Sequence, residues 1–374
     1  MKLQMVDLKG QYDRIREEVN KAIQEVLDSA AFINGPKVKE FTEHLAGYCK
    51  VKHVIPCGNG TDALQIALMA LGLRPGDEVI VPAFTYVASA EVIGLLGYTP
   101  VMVDVDPVTF NVTIDNIRKA LSPKTKAIIP VHLFGQSCDM APILEFAAEH
   151  GLFVVEDNAQ AIGAVYTFPD GREKYTGTMG NIGCTSFFPS KNLGCYGDGG
   201  ALMTDNDELA GKIRMIANHG QRVKYHHEVL GCNSRLDTIQ AAILDVKLRY
   251  IEQYSYARYH AAQYYTRHLQ ACSGIICPTE TPYSTHVYHQ YTLQVLDGKR
   301  DALKKHLESL GIPAMIYYPL PLQQQEAFKN ITRAAEDLVN AERLASSVLS
   351  LPMHTELSEE QQDMVIDAIL SFYR

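Results

Sequence analysis

One lysine and one aspartate of this chain each lie at the end of an apolar run and could act together on a shared ligand. Lys191 lies in the run 186–194, and a glycine-rich stretch follows it at 197–200. Asp157 ends the run 153–157, which reads as a buried strand. A lysine amine forms a Schiff base with an aldehyde, and a carboxylate keeps a pyridine nitrogen protonated so that the ring draws electrons. The pair therefore predicts pyridoxal phosphate chemistry, with a solvated loop lysine and an aspartate–arginine ion pair as the alternatives.

Other side chains at predicted strand ends and helix starts could hold such a cofactor. Gly60 and Thr61 open a helix where exposed amides would attract a phosphate, although a plain turn with an N-cap also fits. Tyr86 follows another strand and could either stack on a flat ring or lie in the core. Gln160 could hydrogen-bond a ring phenolate or cap a helix. Ser186, at the end of the strand before the lysine, is a possible phosphate donor.

Two further polar side chains precede a long predicted helix. Asn233 offers two amide donors, and Arg235 offers a bidentate fork for a carboxylate or a phosphate. A cap at the start of the helix explains the local sequence equally well. The run 225–227 contains two histidines but no third ligand at metal spacing, so no metal site is predicted.

The composition is typical of a globular enzyme and excludes several classes of function. The chain has 374 residues, of which 47% are hydrophobic and 21% are charged. A formal net charge of −9 leaves no basic excess for nucleic-acid binding. The 8 cysteines form no CxxC pair, which indicates reduced thiols. No apolar run is long enough to span a membrane or to act as a signal segment, so a cytoplasmic protein is expected.

Short β-rich runs alternate with helical stretches between residues 53 and 205, which predicts an α/β fold with a mostly parallel sheet and helices on both faces. The predicted strands are 53–56, 78–82, 99–104, 127–131, 153–156 and 184–188, and the predicted helices are 12–30, 36–50, 61–71, 87–96, 114–121 and 140–150. One long helix is expected over 236–269. The remainder mixes helices with a strand at 290–295, so we expect a large domain over 1–250 and a small α+β domain over 251–374.

Together these stretches resemble the DegT-type sugar-nucleotide aminotransferases, a branch of the fold-type I pyridoxal phosphate enzymes. The resemblance runs nearly from end to end, and its most specific segments are 59–67, 82–88, 155–164, 185–201 and 219–244. It implies an aspartate aminotransferase-like fold, in which the large domain holds a mostly parallel seven-stranded sheet and the C-terminal domain is small and α+β.

The resemblance also implies a role for each candidate residue in a homodimer whose subunits share their active sites. It implies that Lys191 binds the aldehyde of the cofactor and that Asp157 binds its pyridine nitrogen. Tyr86 is implied to stack on the ring and Gln160 to contact its phenolic oxygen. The phosphate is implied to be bound by Gly60, Thr61 and Ser186, and by Asn233 from the neighbouring subunit. A lysine at position 191 matters for the reaction class, because deoxygenating relatives carry histidine there. The implied reaction is a glutamate-dependent transamination in which the cofactor alternates between its pyridoxal and pyridoxamine forms.

Within the family, the segments 188–191, 219–221, 225–227 and 233–237 look most like the enzymes that aminate the 3-keto carbon of UDP-N-acetyl-3-oxoglucuronate. Those enzymes serve the biosynthesis of surface polysaccharides such as the O-antigen of lipopolysaccharide. Arg235 and Tyr318 match residues at the sugar. Tyr317 and Gln323 depart from the family, because histidine is common at the first position and histidine or asparagine at the second.

Two other functions remain open on the sequence. The first is amination at C4 of a 4-keto-6-deoxy sugar nucleotide. Arg235 favours the uronate over this sugar, because a uronate carboxylate needs a cationic partner and a 6-deoxy methyl group does not. The second is a non-catalytic sensor of the cofactor or the sugar, which intact Lys191, Asp157 and Asn233 disfavour.

Overall fold

The computed structural model describes residues 3–374 as alternating strands and helices followed by a more mixed C-terminal third. The strands are β1 His53–Cys57, β2 Glu78–Pro82, β3 Thr99–Val103, β4 Thr125–Ile128, β5 Phe153–Asp157, β6 Val165–Thr167, β7 Glu173–Tyr175, β8 Ile182–Ser186, β9 Gly200–Thr204, β10 Gln221–Val223, β11 His226–His227, β12 Ile275–Ile276, β13 Tyr291–Val295, β14 Arg333–Ala334 and β15 Val348–Leu351. The α-helices are α1 Leu8–Ser29, α2 Pro36–Cys49, α3 Gly60–Ala70, α4 Ala88–Leu95, α5 Ile114–Ala120, α6 Met140–His150, α7 Asp207–Ala217, α8 Thr238–Leu248, α9 Ile251–Leu269, α10 Arg300–Ser309, α11 Val339–Ser347 and α12 Glu359–Tyr373. Three short 3₁₀ helices cover Leu133–Gly135, Leu322–Gln324 and Glu326–Phe328.

An eight-stranded sheet in the order β1-β9-β8-β5-β4-β2-β3-β14 forms the centre of the molecule. All neighbouring strands from β8 to β14 run parallel, whereas β9 is antiparallel to both β8 and β1. Strands β2 and β9 are buried at every position because helices cover both faces of the sheet. The predicted α/β fold with a mostly parallel sheet is confirmed, and the six predicted strands correspond to β1 to β5 and β8.

The eighth strand, β14, joins the sheet from a distant part of the chain and was not expected from the sequence. Arg333 of β14 pairs in parallel with Val101 of β3. Its guanidinium donates at 2.9 Å to the carboxylate of Glu78, the first residue of β2. Leu338 and Leu344, which follow β14, pack into the apolar cluster around the sheet. This segment therefore completes the large core although it lies late in the sequence.

The single helix predicted over 236–269 is wrong, since the structure has two helices, α8 and α9. Tyr250 leaves the helical conformation with φ −106° and ψ 0°. Both residues at the break bind the same carboxylate on α1: Arg249 forms an ion pair with Glu18 at 2.9 Å, and the Tyr250 hydroxyl donates to it. The residues at the break thus contact a partner far away in the sequence, and no proline or glycine marks the break.

A second apolar core lies apart from the sheet and combines α9, α10 and α12 with the small sheet β12-β13-β15. Tyr265, Leu293, Leu303 and Ile369 are fully buried or nearly so in this core, and Leu3 joins it from the opposite end of the chain. We propose that this core defines the small domain, with the boundary near residue 250. No helix within residues 3–374 is both long and apolar enough to cross a membrane.

The carboxylate of Glu156 organises the backbone beside β5. It accepts hydrogen bonds from the amides of Gly177, Met179 and Gly180 at 2.6–2.7 Å, and from Nε2 of His132 at 2.8 Å. Glu156 is completely buried, so these four donors replace the water that a carboxylate would otherwise require. The position of the next residue, Asp157, is fixed by this anchor.

We expect Glu156→Gln to lower the stability of the cofactor-free protein. The amide nitrogen of glutamine would face backbone donors instead of accepting from them, which costs about 3 kcal/mol and lowers the apparent Tm by about 4 °C. Thermal unfolding followed by circular dichroism measures this change. Glu145→Gln, at an exposed position of α6, is the matched control and should leave the Tm unchanged. Equal Tm values for the two variants would contradict the anchoring role.

Candidate active site

A cavity of about 640 Å³ lies at the carboxyl ends of the parallel strands and contains most of the predicted site residues. Ligands in α/β sheets bind at this edge, because the strand ends and the helix starts converge there. The cavity is lined by eight of the candidates, namely Gly60, Thr61, Tyr86, Asp157, Gln160, Ser186, Lys191 and Tyr318. Asn233 and Arg235 do not line it.

Lys191 presents an amine with no hydrogen-bond partner among residues 3–374. Its backbone amide donates to the carbonyl of Phe188 at 2.8 Å, so the loop turns tightly around it. Burial lowers the pKa of the Lys191 amine to about 8, and the nearby negative charge of Asp157 opposes this shift only in part. About a tenth of the amine is therefore neutral and nucleophilic at pH 7, far more than for an ordinary lysine.

The loop that carries Lys191 is held by backbone and side-chain contacts on both sides of the lysine. The amide of Cys195 donates to the carbonyl of Phe187 at 2.8 Å, which closes the loop. Nδ2 of Asn192 donates to the carbonyl of Val287 at 2.8 Å. Gly194 allows the turn, because a Cβ at this position would lie only 2.4 Å from the carbonyl oxygen of Pro189. The lysine thus projects from a closed and anchored loop.

Asp157 is buried and is not paired with an arginine in the structure described. Its Oδ2 accepts from the hydroxyl of Ser89 at 2.7 Å, and its Oδ1 accepts from the amide of Ala159 at 3.1 Å. Ser89 in turn lies 3.2 Å from the hydroxyl of Thr85. These contacts orient the carboxylate but leave acceptor capacity for a cationic group in the cavity.

Gln160 is fixed in one orientation by two hydrogen bonds. Its Oε1 accepts from the amide of Phe134 at 2.9 Å, which places Nε2 on the side of the cavity. Nε2 donates to the hydroxyl of Tyr318 at 3.0 Å. One hydrogen on Nε2 remains available for a ring oxygen, and the Tyr318 hydroxyl keeps its own hydrogen to donate. The contact of Gln160 with a phenolic oxygen stays a prediction.

The first turn of α3 and the end of β8 form the opposite side of the cavity. Gly60 and Thr61 are the first residues of α3, whose N-terminal amides lack helical partners. A Cβ on Gly60 would lie 2.7 Å from the Cβ of Ser186, so glycine permits the close approach of helix and strand. Amides and hydroxyls grouped at a helix N-terminus suit a phosphate.

Tyr86 forms an open wall of the cavity and is not a core residue. It is 56% exposed, and its ring centroid lies 6.1 Å from that of Tyr318. The exposed ring face can stack on a flat ligand. Of the two readings from the sequence, the structure therefore excludes the core tyrosine.

Asn233 and Arg235 lie outside the Lys191 cavity, on an exposed segment before α8. Arg235 instead lines a second cavity of about 560 Å³, together with the basic residues Lys39, Lys52 and Arg214. Within one chain, these two residues are therefore not brought to the lysine and the aspartate.

Two further polar residues belong to the site and were not found from the sequence. His289 lines the cavity, and burial lowers its pKa well below the usual range, so its imidazole is neutral. Ser89 holds Asp157 from α4. Both reach the site through tertiary contacts, and no local pattern marks them. No group of three potential metal ligands occurs within residues 3–374.

The cavity fits pyridoxal phosphate by the chemistry of its donors and acceptors. It offers an unpartnered amine, a buried carboxylate with free acceptor capacity and the N-terminus of a helix. These are the three groups required by an aldehyde, a pyridinium nitrogen and a phosphate, respectively.

Comparison with known proteins identifies relatives along the whole chain. The model of the DegT/DnrJ/EryC1/StrS aminotransferase family matches residues 13–370. The chain is 48% identical to a "pleiotropic regulatory protein" of Geobacillus stearothermophilus, covering 100% of this chain and 99% of the relative. It is 44% identical to the UDP-2-acetamido-2-deoxy-3-oxo-D-glucuronate aminotransferase of Pseudomonas aeruginosa, covering 98% of this chain and 99% of the relative. It is 41% identical to a dTDP-3-amino-3,4,6-trideoxy-alpha-D-glucose transaminase of Streptomyces venezuelae, covering 97% of this chain and 94% of the relative.

Solved structures show the same similarity in three dimensions. A DegT DnrJ EryC1 StrS aminotransferase from Brucella abortus aligns with a TM-score of 0.94 at 41% identity, covering 99% of both chains. A Bacillus subtilis protein with bound PMP aligns with a TM-score of 0.88 at 32% identity, covering 98% of this chain and 82% of that one.

We expect the attachment of pyridoxal phosphate to the cofactor-free protein to follow the ionisation of Lys191. Only the neutral amine attacks an aldehyde, and the pKa is lowered from 10.5 to about 8. The attachment rate should therefore rise through pH 8 and level off, whereas an ordinary lysine is still gaining reactivity above about pH 10. Stopped-flow absorbance measures the profile. Divided by the rate of Nα-acetyl-lysine amide, which cancels the ionisations of the cofactor itself, the rate should be constant below about pH 8 and fall above it, whereas an ordinary lysine would give a constant ratio throughout. Lys191→Ala is the control, and a midpoint at the value of the free amine would contradict the expectation.

Proposed function

Because the chain belongs to the DegT/DnrJ/EryC1/StrS aminotransferase family, whose enzymes depend on pyridoxal phosphate, we propose that it moves the amino group of glutamate onto a keto sugar nucleotide. The acceptor that we propose is the 3-keto carbon of UDP-N-acetyl-3-oxoglucuronate, in the biosynthesis of a surface polysaccharide. The observation that carries the reaction class is the unpartnered amine of Lys191 in one cavity with the carboxylate of Asp157.

Pyridoxal phosphate, when bound, supplies an aldehyde that captures amines and a protonated ring that accepts electrons from the carbon to which the amine is attached. We propose that Lys191 holds this group and, once released, moves a proton between the amino-bearing carbon and the carbon attached to the ring. A pKa of about 8 suits both directions, because the neutral amine can take the proton and the ammonium can return it. One residue can then serve the glutamate and the sugar half-reactions in turn.

Asp157 would hold the ring nitrogen in its protonated form. The carboxylate is oriented beforehand by Ser89 and by the amide of Ala159, so it does not need to reorganise during the reaction. Gln160 would donate its remaining hydrogen to the phenolic oxygen, and Tyr86 would cover the ring face. Gly60, Thr61 and Ser186 would bind the phosphate at the start of α3.

We further propose a homodimer in which Asn233 completes the phosphate site of the partner. The hairpin β10–β11 and the residues after it form a separate two-stranded unit just before Asn233. Val223, Tyr225 and Leu230 on this unit are 61%, 78% and 90% exposed. Large exposed apolar side chains grouped on one short unit mark a surface that can bind another protein. A second copy that buries them would bring Asn233 and Arg235 close to a cavity other than their own.

Mixed dimers test whether the sites are shared. In a hybrid of one Lys191→Ala chain and one Asn233→Asp chain, a shared arrangement places both defects in one site and leaves the other site intact. We therefore expect the hybrid to recover about half of the wild-type activity, although each parent homodimer is inactive.

The two chains would be co-expressed with different tags and purified in sequence. A hybrid of Lys191→Ala with the wild type keeps one intact site in either arrangement and is the control. An inactive hybrid alongside an active control would show that Asn233 acts within its own subunit.

The 3-keto uronate is proposed as the substrate on two grounds. The first is the 44% identity to a relative whose name specifies such a substrate. The second is Arg235, whose guanidinium can bind a carboxylate with two parallel hydrogen bonds. A relative named for a dTDP sugar is named for a 3-amino product, so it widens the choice of nucleotide and sugar without supporting amination at C4. Amination of a 4-keto-6-deoxy sugar remains the alternative from the sequence, and the regulatory name of another relative keeps a sensor as a distant one.

We expect the wild-type enzyme to aminate the 3-keto uronate with a higher kcat/KM than a dTDP-4-keto-6-deoxy sugar. Arg235→Gln should raise the KM for the uronate by about 10- to 100-fold, as the loss of one charged bidentate contact predicts, and should leave the 6-deoxy sugar unaffected. Steady-state assays with glutamate, read out by product chromatography, measure both.

Lys39→Gln is the matched control, because it removes a positive charge from the same second cavity. A preference for the 6-deoxy sugar would establish the C4 alternative. If neither sugar reacts and glutamate does not bleach the yellow protein, the chain is a sensor.

A further inference from the structure

Lys247 on α8 is a completely buried lysine without a carboxylate partner among residues 3–374. Its Nζ donates to the carbonyl oxygen of Gly194 at 2.5 Å. The ammonium also lies 5.3 Å from the ring centroid of Tyr196. Both contacts are to the segment that follows Lys191, and neither is to a negatively charged group.

A charge at this place is costly for the fold. Leu244 and Leu248, on the same helix, lie in an apolar cluster with Leu193 and Cys195 of the lysine loop. Burial lowers the pKa of Lys247 to about 8, and the positive charge of Arg258 acts in the same direction. An aliphatic side chain could pack here at a lower cost. The presence of a lysine here is therefore best explained by its hydrogen bond to the carbonyl of Gly194.

The same face of α8 holds the loop at a second point. Oε1 of Gln240 accepts from the amide of Tyr196 at 2.8 Å, and its Nε2 donates to the carbonyl of Tyr196 at 3.4 Å. Gln240 lies about two helical turns before Lys247, so both side chains project from one side of the helix. One rigid helix thus fixes the loop at residues 194 and 196.

A shift of Gly194 would be transmitted towards the lysine. The backbone of Gly194 lies so close to the carbonyl of Pro189 that a Cβ would overlap it. Since Pro189 precedes Lys191 and Gly194 follows it, the loop cannot relax on one side without moving on the other. The amine itself has no hydrogen bond within residues 3–374 that would hold it in place.

We propose that Lys247 is a positioning residue that anchors the Gly194 carbonyl and thereby fixes the amine of Lys191 in the cavity. This inference rests on the proposed role of Lys191 as the group that holds the cofactor. Lys247 touches neither the cofactor nor the substrate, and it acts through the loop.

The test compares Lys247→Met, which keeps the length and apolar volume but removes the donor, with Lys21→Met at an exposed position of α1. In the cofactor-free protein, we expect hydrogen exchange at the amides of residues 191–197 to increase by about tenfold in Lys247→Met only. With the cofactor bound, the single-turnover rate with glutamate should fall by about 10- to 100-fold, the range expected from a displacement of about 1 Å.

A purely structural role would lower the Tm without opening the loop selectively, so exchange in the distant strands β13 and β15 is recorded as well. If Lys247→Met does not fold, Lys247→Leu, which also removes the donor, is measured in its place. Wild-type exchange and wild-type turnover in either folded variant would overturn the proposal, as would a failure of both variants to fold. The exchange readout does not require catalysis. A selective opening of the loop in a protein that never transaminates would therefore reject the proposed function and leave the anchor in place.

Discussion

A half-buried primary amine in one cavity with a buried carboxylate, without being bonded to it, is the constraint on which this site depends. A direct ion pair between Lys191 and Asp157 would raise the pKa of the amine and occupy both groups. The structure avoids this by satisfying Asp157 with Ser89 and Ala159. Adjacent parallel strands supply the geometry, because Asp157 of β5 is opposite Cys184 of β8, and β8 leads into the lysine loop. The distance between the two groups is therefore set by the register of the sheet.

Several irregular segments around the cavity are organised by buried charges that bind backbone groups. Glu156 accepts hydrogen bonds from three backbone amides. Arg258 donates from Nη1 to the carbonyls of Tyr288, His289 and Met353. Loops that lack a strand or helix ladder must find such partners, because unpaired polar groups are costly when buried. The cost of burying each charge is offset by the number of backbone groups that it satisfies, and the loops gain a single defined conformation.

The sequence was most informative where local pattern and chemistry coincide. The apolar runs predicted the strands of the large sheet, and β5 ends at Asp157 as its pattern suggested. Contacts between distant residues could not be read from it: Tyr250 at the break donates to Glu18 of α1, and His289 lines the cavity although it lies far from Asp157 and Lys191 in the sequence. Arg235 shows a further limit of prediction from the sequence. We propose that it acts in the site of a second chain, and no local pattern in the sequence indicates this.

The position of β14 has a consequence for how the protein is made. The edge of the large sheet at β3 stays open until residues 333 and 334 have been synthesised, and α11 must follow before the core around Leu344 is closed. The small core takes its segments from both sides of this insertion, and β15 and α12 follow it in the sequence. A ribosome-bound chain that stops before residue 333 therefore carries an uncovered strand, which is a template for wrong pairing with other nascent chains. Productive folding of both cores is in this way postponed until β14, β15 and α12 have been synthesised.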